Sequence, residues 1–479
     1  MIKVKSYEPL SSLVIMAGKI FTGDEVKRLY EDARAYLIQR WEPRPGIEEP
    51  IVVQGEGGYF YDARGKRYLD LISQLYNVHI GLGNRDVIEA AKRQLDELAY
   101  SSPSYFNLPQ IQLARRLAQI TPGDLCKTFF SNSGTEANET AIKVAQLYRE
   151  APKIISFWDS YHGSTYASMS VGGSARNRQL PGLSLFEEFK HVPAPYCYRC
   201  PFRKTYPECD LLCAEFIRYT IEKEGERFVA AFMAEPICSW AGQVVPPPDY
   251  WPRVRRICDE KGVLLIFDEV MTGFARTGRM FACEHWNVVP DIETYAKGIT
   301  SGYVPLGATI VSKKIGDHFD EKGFPHSYTY SGHALACATA LAVIDYYYKE
   351  RLAERAAKMG AYMMDELRGM QERQPIIGDV RGLGLFMGVE LVADPETRME
   401  IVPKGLTPEQ RLDPRYNPMV YLTDKAREKG LIIGTSPGTG IIRMMPYLKI
   451  TEEQVEEGLN LLEETIAETA KRFDLPKRK

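Results

Sequence analysis

Apolar and polar positions change texture twice along the chain. Up to about residue 45 the pattern is helical or irregular, and it closes on the loop composition Pro43-Arg44-Pro45-Gly46. Short strand-like runs follow at Ile51-Val52-Val53, Gly58-Tyr59-Phe60-Tyr61 and Arg67-Tyr68-Leu69. Gly-rich and Asp62-Ala63-Arg64-Gly65 turns separate them, so an antiparallel meander is expected. From about residue 80, amphipathic helical segments alternate with apolar runs at Thr128–Phe130, Lys153–Phe157, Val229–Ala234, Val263–Phe267 and Gly307–Val311. That alternation predicts a largely parallel sheet covered by helices. Beyond about residue 350 the texture becomes α+β. A final helix is expected from the capping pair Thr451 and Gln454 and from Val455, Leu459, Leu462 and Ile466 at helical spacing. The chain therefore reads as α/β. A large domain spans 80–348, and a smaller α+β domain is assembled from both chain ends, 1–79 and 349–479.

Composition narrows the class. The 479 residues carry 60 Lys+Arg against 63 Asp+Glu, a balance that leaves no basic excess to neutralise phosphates, so nucleic acid is not an expected partner. No apolar run approaches the ~18 residues of a membrane span. Leu13 to Ala17 is too short for a signal peptide, and no small-residue cleavage pattern follows, so a cytoplasmic protein is expected. Nine cysteines in a chain this long do not make a disulfide scaffold.

In open α/β sheets ligands bind beyond the carboxyl ends of the strands, so the residues after each apolar run carry the most weight. After Phe129-Phe130 comes Ser131-Asn132-Ser133-Gly134-Thr135-Glu136-Ala137-Asn138-Glu139, where a helical pattern begins at once. Small hydroxyl residues and a Gly at a helix start make either a phosphate cup or an ordinary N-capped helix. After Ile154–Phe157 comes Tyr161-His162-Gly163; Tyr161 either stacks on a planar ligand or packs in the core. Val263–Phe267, apolar on both faces, ends in Asp268-Glu269. An acid leaving a buried strand needs a cation or strong donors, such as a pyridinium nitrogen, a salt-bridge partner or a helix start. Lys297 stands between Ala296 and Gly298, open to close approach; it is either a solvated surface charge or, if desolvated, a lysine that can form a Schiff base.

Taken in order, SNSGTEANE, YHG, AEP, LLIFDEVMTGFARTG, AKG and TYSGH resemble the class III aminotransferases, pyridoxal-phosphate (PLP) enzymes of fold type I. The resemblance runs from about residue 30 to the last helix. It implies that Lys297 is the Schiff-base lysine and proton shuttle, and that Asp268 pairs with the pyridine nitrogen. Ser133, Gly134 and Thr135 would hold the phosphate. Tyr161 and Val270 would flank the ring, and Glu235 would stand behind it. Thr329 resembles the residue that reaches the phosphate from a neighbouring subunit, so the resemblance implies a homodimer, or a tetramer built from it, with shared sites. It also implies ping-pong transfer of an amino group from a small-molecule donor to a 2-oxo acid. A mutase or decarboxylase on the same fold is the alternative chemistry.

The departures from the family pattern bear on substrate. Arg443 matches the carboxylate-clamping arginine of 4-aminobutyrate and ornithine aminotransferases, whose fork suits a carboxylate. Those enzymes usually pair it with a glutamate where this chain has Trp240, and often carry Gln where this chain has Met271. Tyr76 falls where amine–pyruvate aminotransferases carry an aromatic roof, and Tyr105-Phe106 resembles their partner-donated aromatic pair. An ω-amino acid or amine donor with pyruvate as acceptor is therefore expected, with 2-oxoglutarate the alternative. Leu75 and Tyr161 replace the Gln and Trp of dialkylglycine decarboxylase, which speaks against that activity. Ala275 replaces a family Gly, and His326-Ser327 replaces a common His-Gly.

Five cysteines, Cys126, Cys238, Cys258, Cys283 and Cys337, read as small buried hydrophobes. Cys197, Cys200, Cys209 and Cys213 cluster in a Pro-rich segment resembling a surface insertion. They are expected as free or paired thiols, with structural Zn the alternative. No metal is expected in the chemistry itself.

Overall fold

The computed structural model describes residues 21–38, 44, 48–174, 186–436 and 438–476. Leu13–Ala17 and, apart from Arg44, the loop at Pro43–Gly46 lie outside them. The expected meander is present: β1 (Val52–Glu56), β2 (Tyr59–Asp62) and β3 (Arg67–Asp70) pair antiparallel in sequence. Their burial alternates along β2, as a sheet with one solvated face requires.

Seven strands build the central sheet: β4 (Leu125–Ser131), β5 (Lys153–Phe157), β6 (Phe189–Val192), β7 (Val229–Ala234), β8 (Leu264–Asp268), β9 (Ile292–Tyr295) and β10 (Gly307–Ser312). Their order is β4-β10-β9-β8-β7-β5-β6. Only β10 runs antiparallel to its neighbours. Every residue of β7 and β8 is buried, which explains why those runs are apolar on both faces. Helices Gly134–Arg149 and Tyr250–Lys261 pack on the sheet. Trp251 and Phe267 meet edge to face at 4.7 Å in that core.

Two strands escape the apolar-run reading. β6 carries Lys190 and His191 because it is an edge strand, where both of these neighbouring positions stay half-exposed. β9 carries Glu293 and Thr294, and both are fully buried.

The remaining strands are β11 (Ile377–Leu383), β12 (Phe386–Asp394), β13 (Met399–Glu400), β14 (Leu431–Ile432) and β15 (Ile441–Met444). β14 pairs parallel with β3, Leu431 opposite Leu69, so the two ends of the chain share a sheet. β12 pairs with β15 and sets Arg443 opposite Gly388. The last helix runs Glu452–Arg472, with Thr451 Oγ1 accepting from the Gln454 amide and Gln454 Oε1 accepting from the Thr451 amide. Val455, Leu459, Leu462 and Ile466 form its buried face. Among the described residues no helix is long and apolar enough to cross a membrane. Cys238, Cys258, Cys283 and Cys337 are buried as expected; Cys126 is only half-buried, because it lies on β4 at the sheet's other edge.

Candidate active site

Strands β5, β7, β8 and β9 are mutually parallel, so the segments that follow them emerge on one side of the sheet. Those segments carry Tyr161, Glu235, Asp268 and Lys297. A cavity of about 960 Å³, its mouth included, opens there. Ser133, Gly134, Thr135, Tyr161, Asp268, Val270, Lys297, Tyr76, Trp240 and Arg443 all line it.

Asp268 is the most densely held. It ends β8 with 3% exposure, and the register sets it beside Thr294 of β9. Its Oδ2 accepts from Asn138 Nδ2 at 2.7 Å and meets His162 Nδ1 at 2.7 Å, while Oδ1 accepts from the Val270 amide at 3.0 Å. Asn138 is fixed in turn: its Nδ2 also donates to the His162 carbonyl, and its Oδ1 accepts from Thr294 Oγ1, each at 2.7 Å. Among the described residues, the buried His162 Nε2 has no partner. Asn138 and His162 stand inside the quoted motifs, yet nothing local marks them as Asp268 partners. The available signal is a polar Asn on the otherwise apolar face Ala137, Ala141, Ile142, Ala145.

Lys297 opens a short 3₁₀ turn after β9 with φ 46°, in the left-handed region, next to Gly298. A Cβ on Gly298 would meet the His79 ring at 2.6 Å, so only Gly lets this turn sit against His79. Burial pushes the Lys297 ammonium below its ordinary pKa, with Asp268 and Glu235 pulling weakly the other way. Glu235 lies outside the cavity lining. Burial raises its carboxyl to about 7, the Asp268 charge adding to that. Its Oε2 accepts from the Ser239 amide at 3.2 Å and from the Ser239 hydroxyl, and Oε1 has no partner.

Ser133 caps the helix Gly134–Arg149, its Oγ accepting from the Glu136 amide at 3.2 Å. The capped helix and the candidate anion site are thus the same structure. The Gly134 and Thr135 amides are the first two of that helix and have no intrahelical acceptor. A Cβ on Gly134 would meet Val270 at 2.8 Å, and one on Gly163 would meet Thr135 Oγ1 at 2.8 Å. Both glycines keep the cavity floor open.

The far wall is a stack. Tyr161 and Trp240 lie 5.3 Å apart at 21°, and the Arg443 guanidinium sits 5.7 Å from the Trp240 ring centre. Arg443 Nη2 donates to the Trp240 carbonyl at 3.1 Å and Nε to the Ser239 carbonyl at 3.4 Å. Among the described residues no carboxylate pairs with Arg443. Tyr76 roofs the cavity from a segment in which Ser73, Gln74 and Tyr76 all have positive φ. Asp70 holds that segment, accepting from the Ile72 amide at 2.9 Å and the Gln74 amide at 2.6 Å. Leu75 also reaches the lining. Ala275 has φ 68°, a conformation that favours Gly, so its methyl is held at a cost.

Thr329 does not reach the cavity. It is exposed, and its carbonyl accepts from Tyr100 Oη at 3.0 Å.

The donor set fits PLP: helix-end amides for a phosphate, a buried carboxylate for a ring nitrogen, a desolvated lysine for an aldehyde, and a floor that a Cβ would fill. Comparison with known proteins agrees. Residues 45–466 match the model of the class III aminotransferases, and the chain belongs to that family. It is 39% identical over 425 residues to a leucine/methionine racemase of Thermococcus litoralis, covering 88% of this chain and 91% of that protein. An (S)-enantioselective omega-transaminase from Thermomicrobium roseum superposes with TM-score 0.84 at 38% identity, covering 94% and 99% of the two chains. A taurine:2-oxoglutarate aminotransferase from Bifidobacterium kashiwanohense, solved with PLP and glutamate, superposes with TM-score 0.87 at 33% identity, covering 96% and 100%. The protein is a PLP-dependent transaminase of fold type I.

Proposed function

We propose that the chain moves an amino group from an ω-amino acid or amine to pyruvate. The observation that carries this is Arg443, a nearly buried guanidinium in the cavity wall, stacked on Trp240 and, among the described residues, paired with no carboxylate. Its remaining donors are available to a substrate carboxylate. With Trp240 in place of a gating acid, no acid among the described residues is placed to pair with Arg443 when the substrate lacks an α-carboxylate. That favours the monocarboxylate pyruvate over 2-oxoglutarate.

When bound, PLP supplies an aldehyde that exchanges amine partners and a ring that takes up electron density from the carbon losing its proton. This chain's residues supply the rest. Lys297 accepts and returns that proton at Nζ, and its burial raises the neutral fraction that can do so. Asp268, held by Asn138 and His162, would face the ring nitrogen and hold its proton there. The amides at Gly134 and Thr135, with Ser133, hold the phosphate. Tyr161 and Val270 flank the ring, and Glu235 supports it from behind through Ser239. Tyr76, Trp240 and Arg443 shape the donor pocket.

We infer a homodimer with shared sites. Tyr105 and Phe106 are 71% and 87% exposed beside exposed Leu108 and Ile111, an apolar patch that needs cover. Thr329, joined to that region through Tyr100, would then serve the partner's phosphate. The division into 1–79, 80–348 and 349–479 belongs to the same proposal, supported by the β3–β14 pairing.

The test is the visible spectrum of the PLP-loaded protein with ω-amino acids or amines, followed by pyruvate or 2-oxoglutarate. Loss of the bound-cofactor band with donor and its return with pyruvate is expected. Return with 2-oxoglutarate alone refutes the acceptor. A band that never cycles, with loss of optical activity in an amino acid, replaces transfer by racemisation. A Lys297→Ala variant that still transfers amino groups overturns the role of that lysine.

A further inference from the structure

The four clustered cysteines are the largest chemical feature that amino transfer does not use. None is in a disulfide. All four line one hollow of about 380 Å³, its open mouth included, walled otherwise by Pro195, Pro201, Phe202 and Tyr206 among others. The segment is not a loose surface insertion. Tyr196, Tyr206 and Cys213 pack against the main core.

The chain folds back on itself so that all four cysteines face one hollow. Cys197 and Cys200 bracket a 3₁₀ turn. The Arg203 amide donates to the Cys200 carbonyl at 3.0 Å, the Cys209 amide to Thr205 at 2.9 Å, and the Leu212 amide to Cys209 at 3.1 Å. Arg203, Asp210 and Leu211 take up positive φ in these turns, a cost that something must offset. Cys213 lies in the first turn of the helix Leu212–Glu224.

We propose that Cys197, Cys200, Cys209 and Cys213 bind one Zn²⁺ as a structural site that braces the wall of the donor pocket. Zn²⁺ takes four thiolates tetrahedrally, and a two-residue Cys spacing is one that such sites use. The sulfurs do not yet form one ligand shell. Among the described residues, the one group of three or more ligand atoms within 4.8 Å of each other is Glu269, Cys283 and Glu293. Rotation of the thiols about Cα–Cβ toward the hollow would have to close the shell. Lys204 also lines the hollow and would offset the excess charge of four thiolates.

The brace has a route to the substrate. Tyr196 and Arg199, flanking Cys197, both donate to Glu390. Arg381 Nη1 donates to the same carboxylate at 2.9 Å, and its Nη2 to Tyr196 Oη at 2.8 Å. Arg381 Nε donates to the Gly242 carbonyl at 2.6 Å, and the Gly242 amide closes the turn onto Ser239 at 3.0 Å. That turn carries Trp240. Glu390 also pairs across β12–β15 with Ile441, two residues from Arg443.

The test is metal analysis of the PLP-loaded protein purified without chelator, alongside Cys200→Ser, Cys213→Ser and the control Cys126→Ser. The expected result is about one Zn per chain in the wild type and in the control, and at most a small fraction of that in the other two. Should those variants fail to fold, Co²⁺ exchanged into the wild type should give the visible ligand-field bands of a tetrahedral thiolate site. Removing the metal should raise KM for a carboxylate-bearing donor several-fold with little change in kcat, since the brace acts through Trp240 and Arg443. Metal content near zero with four titratable thiols, or disulfides found by mass spectrometry, overturns the site. Zn binding with unchanged KM overturns the brace. Either failure leaves the transaminase reading standing, because that reading rests on the cofactor band.

Discussion

Replacing Arg443 by Gln separates a substrate clamp from a structural arginine. In the free protein the guanidinium makes one hydrogen bond of ordinary length, 3.1 Å to the Trp240 carbonyl, and a long one of 3.4 Å to Ser239. It is 6% exposed with no carboxylate beside it. A nearly buried cation without an anion is under-satisfied, so removing it should cost the fold little. A carboxylate arriving in the pocket gains a charge-assisted hydrogen bond of about 1.5–3 kcal/mol. Losing that bond corresponds to a fall of roughly 10- to 150-fold in kcat/KM, at about 1.4 kcal/mol per factor of ten. A donor with no carboxylate never makes the bond and should change by no more than about threefold. The assay compares kcat/KM for 4-aminobutanoate and n-butylamine at saturating acceptor. In a ping-pong scheme this ratio reports the donor half-reaction alone. Arg443→Lys should recover part of the loss, because a point charge keeps attraction without the fork. Equal losses for both donors would refute the clamp and assign Arg443 to holding the Ser239–Trp240 turn.

Three further outcomes are expected. Asn138→Ala strips one of two side-chain partners from Asp268 Oδ2 and should weaken PLP retention about tenfold, read by titrating the apoprotein; unchanged affinity would deny that Asn138 tunes this carboxylate. Burial raises Glu269 to about 7 and Glu293 to about 8. Their unfolded counterparts ionise near 4.5, so the stability these groups contribute is full below that and is lost as pH rises toward 8. Glu293→Gln should therefore gain thermal stability relative to wild type on going from pH 5 to pH 9, and a difference that is flat with pH would sink the assignment. Trp251→Ala removes a fully buried indole that also donates to the Pro236 carbonyl at 2.9 Å, and should cost about 3–5 kcal/mol, seen as a Tm lower by several degrees.

Elements whose physics is local are legible in the chain. β7 and β8 announce themselves because strands buried on both faces need unbroken apolar runs. The last helix announces itself through reciprocal capping and one apolar face. Lys297, Asp268 and Ser133–Thr135 are legible only in concert: each alone stays open between an ordinary and a chemical reading, and it is the ordered run of motifs whose family resemblance implies their chemistry. β9 is illegible for the opposite reason: Glu293 and Thr294 look solvent-facing until the fold buries them beside Glu269, Asn138 and Tyr295. Asn138, His162 and Asp268 lie 106 and 130 residues apart in their contacts with the carboxylate, and no spacing rule connects them. The Tyr161–Trp240–Arg443 stack joins three separate connections in the same way. Period, caps and residue type determine the elements and the candidate chemistry, because those act over a few residues. Sheet order and register decide which buried polar group meets which partner, because desolvation in the folded interior rewards a partner however far along the chain it lies.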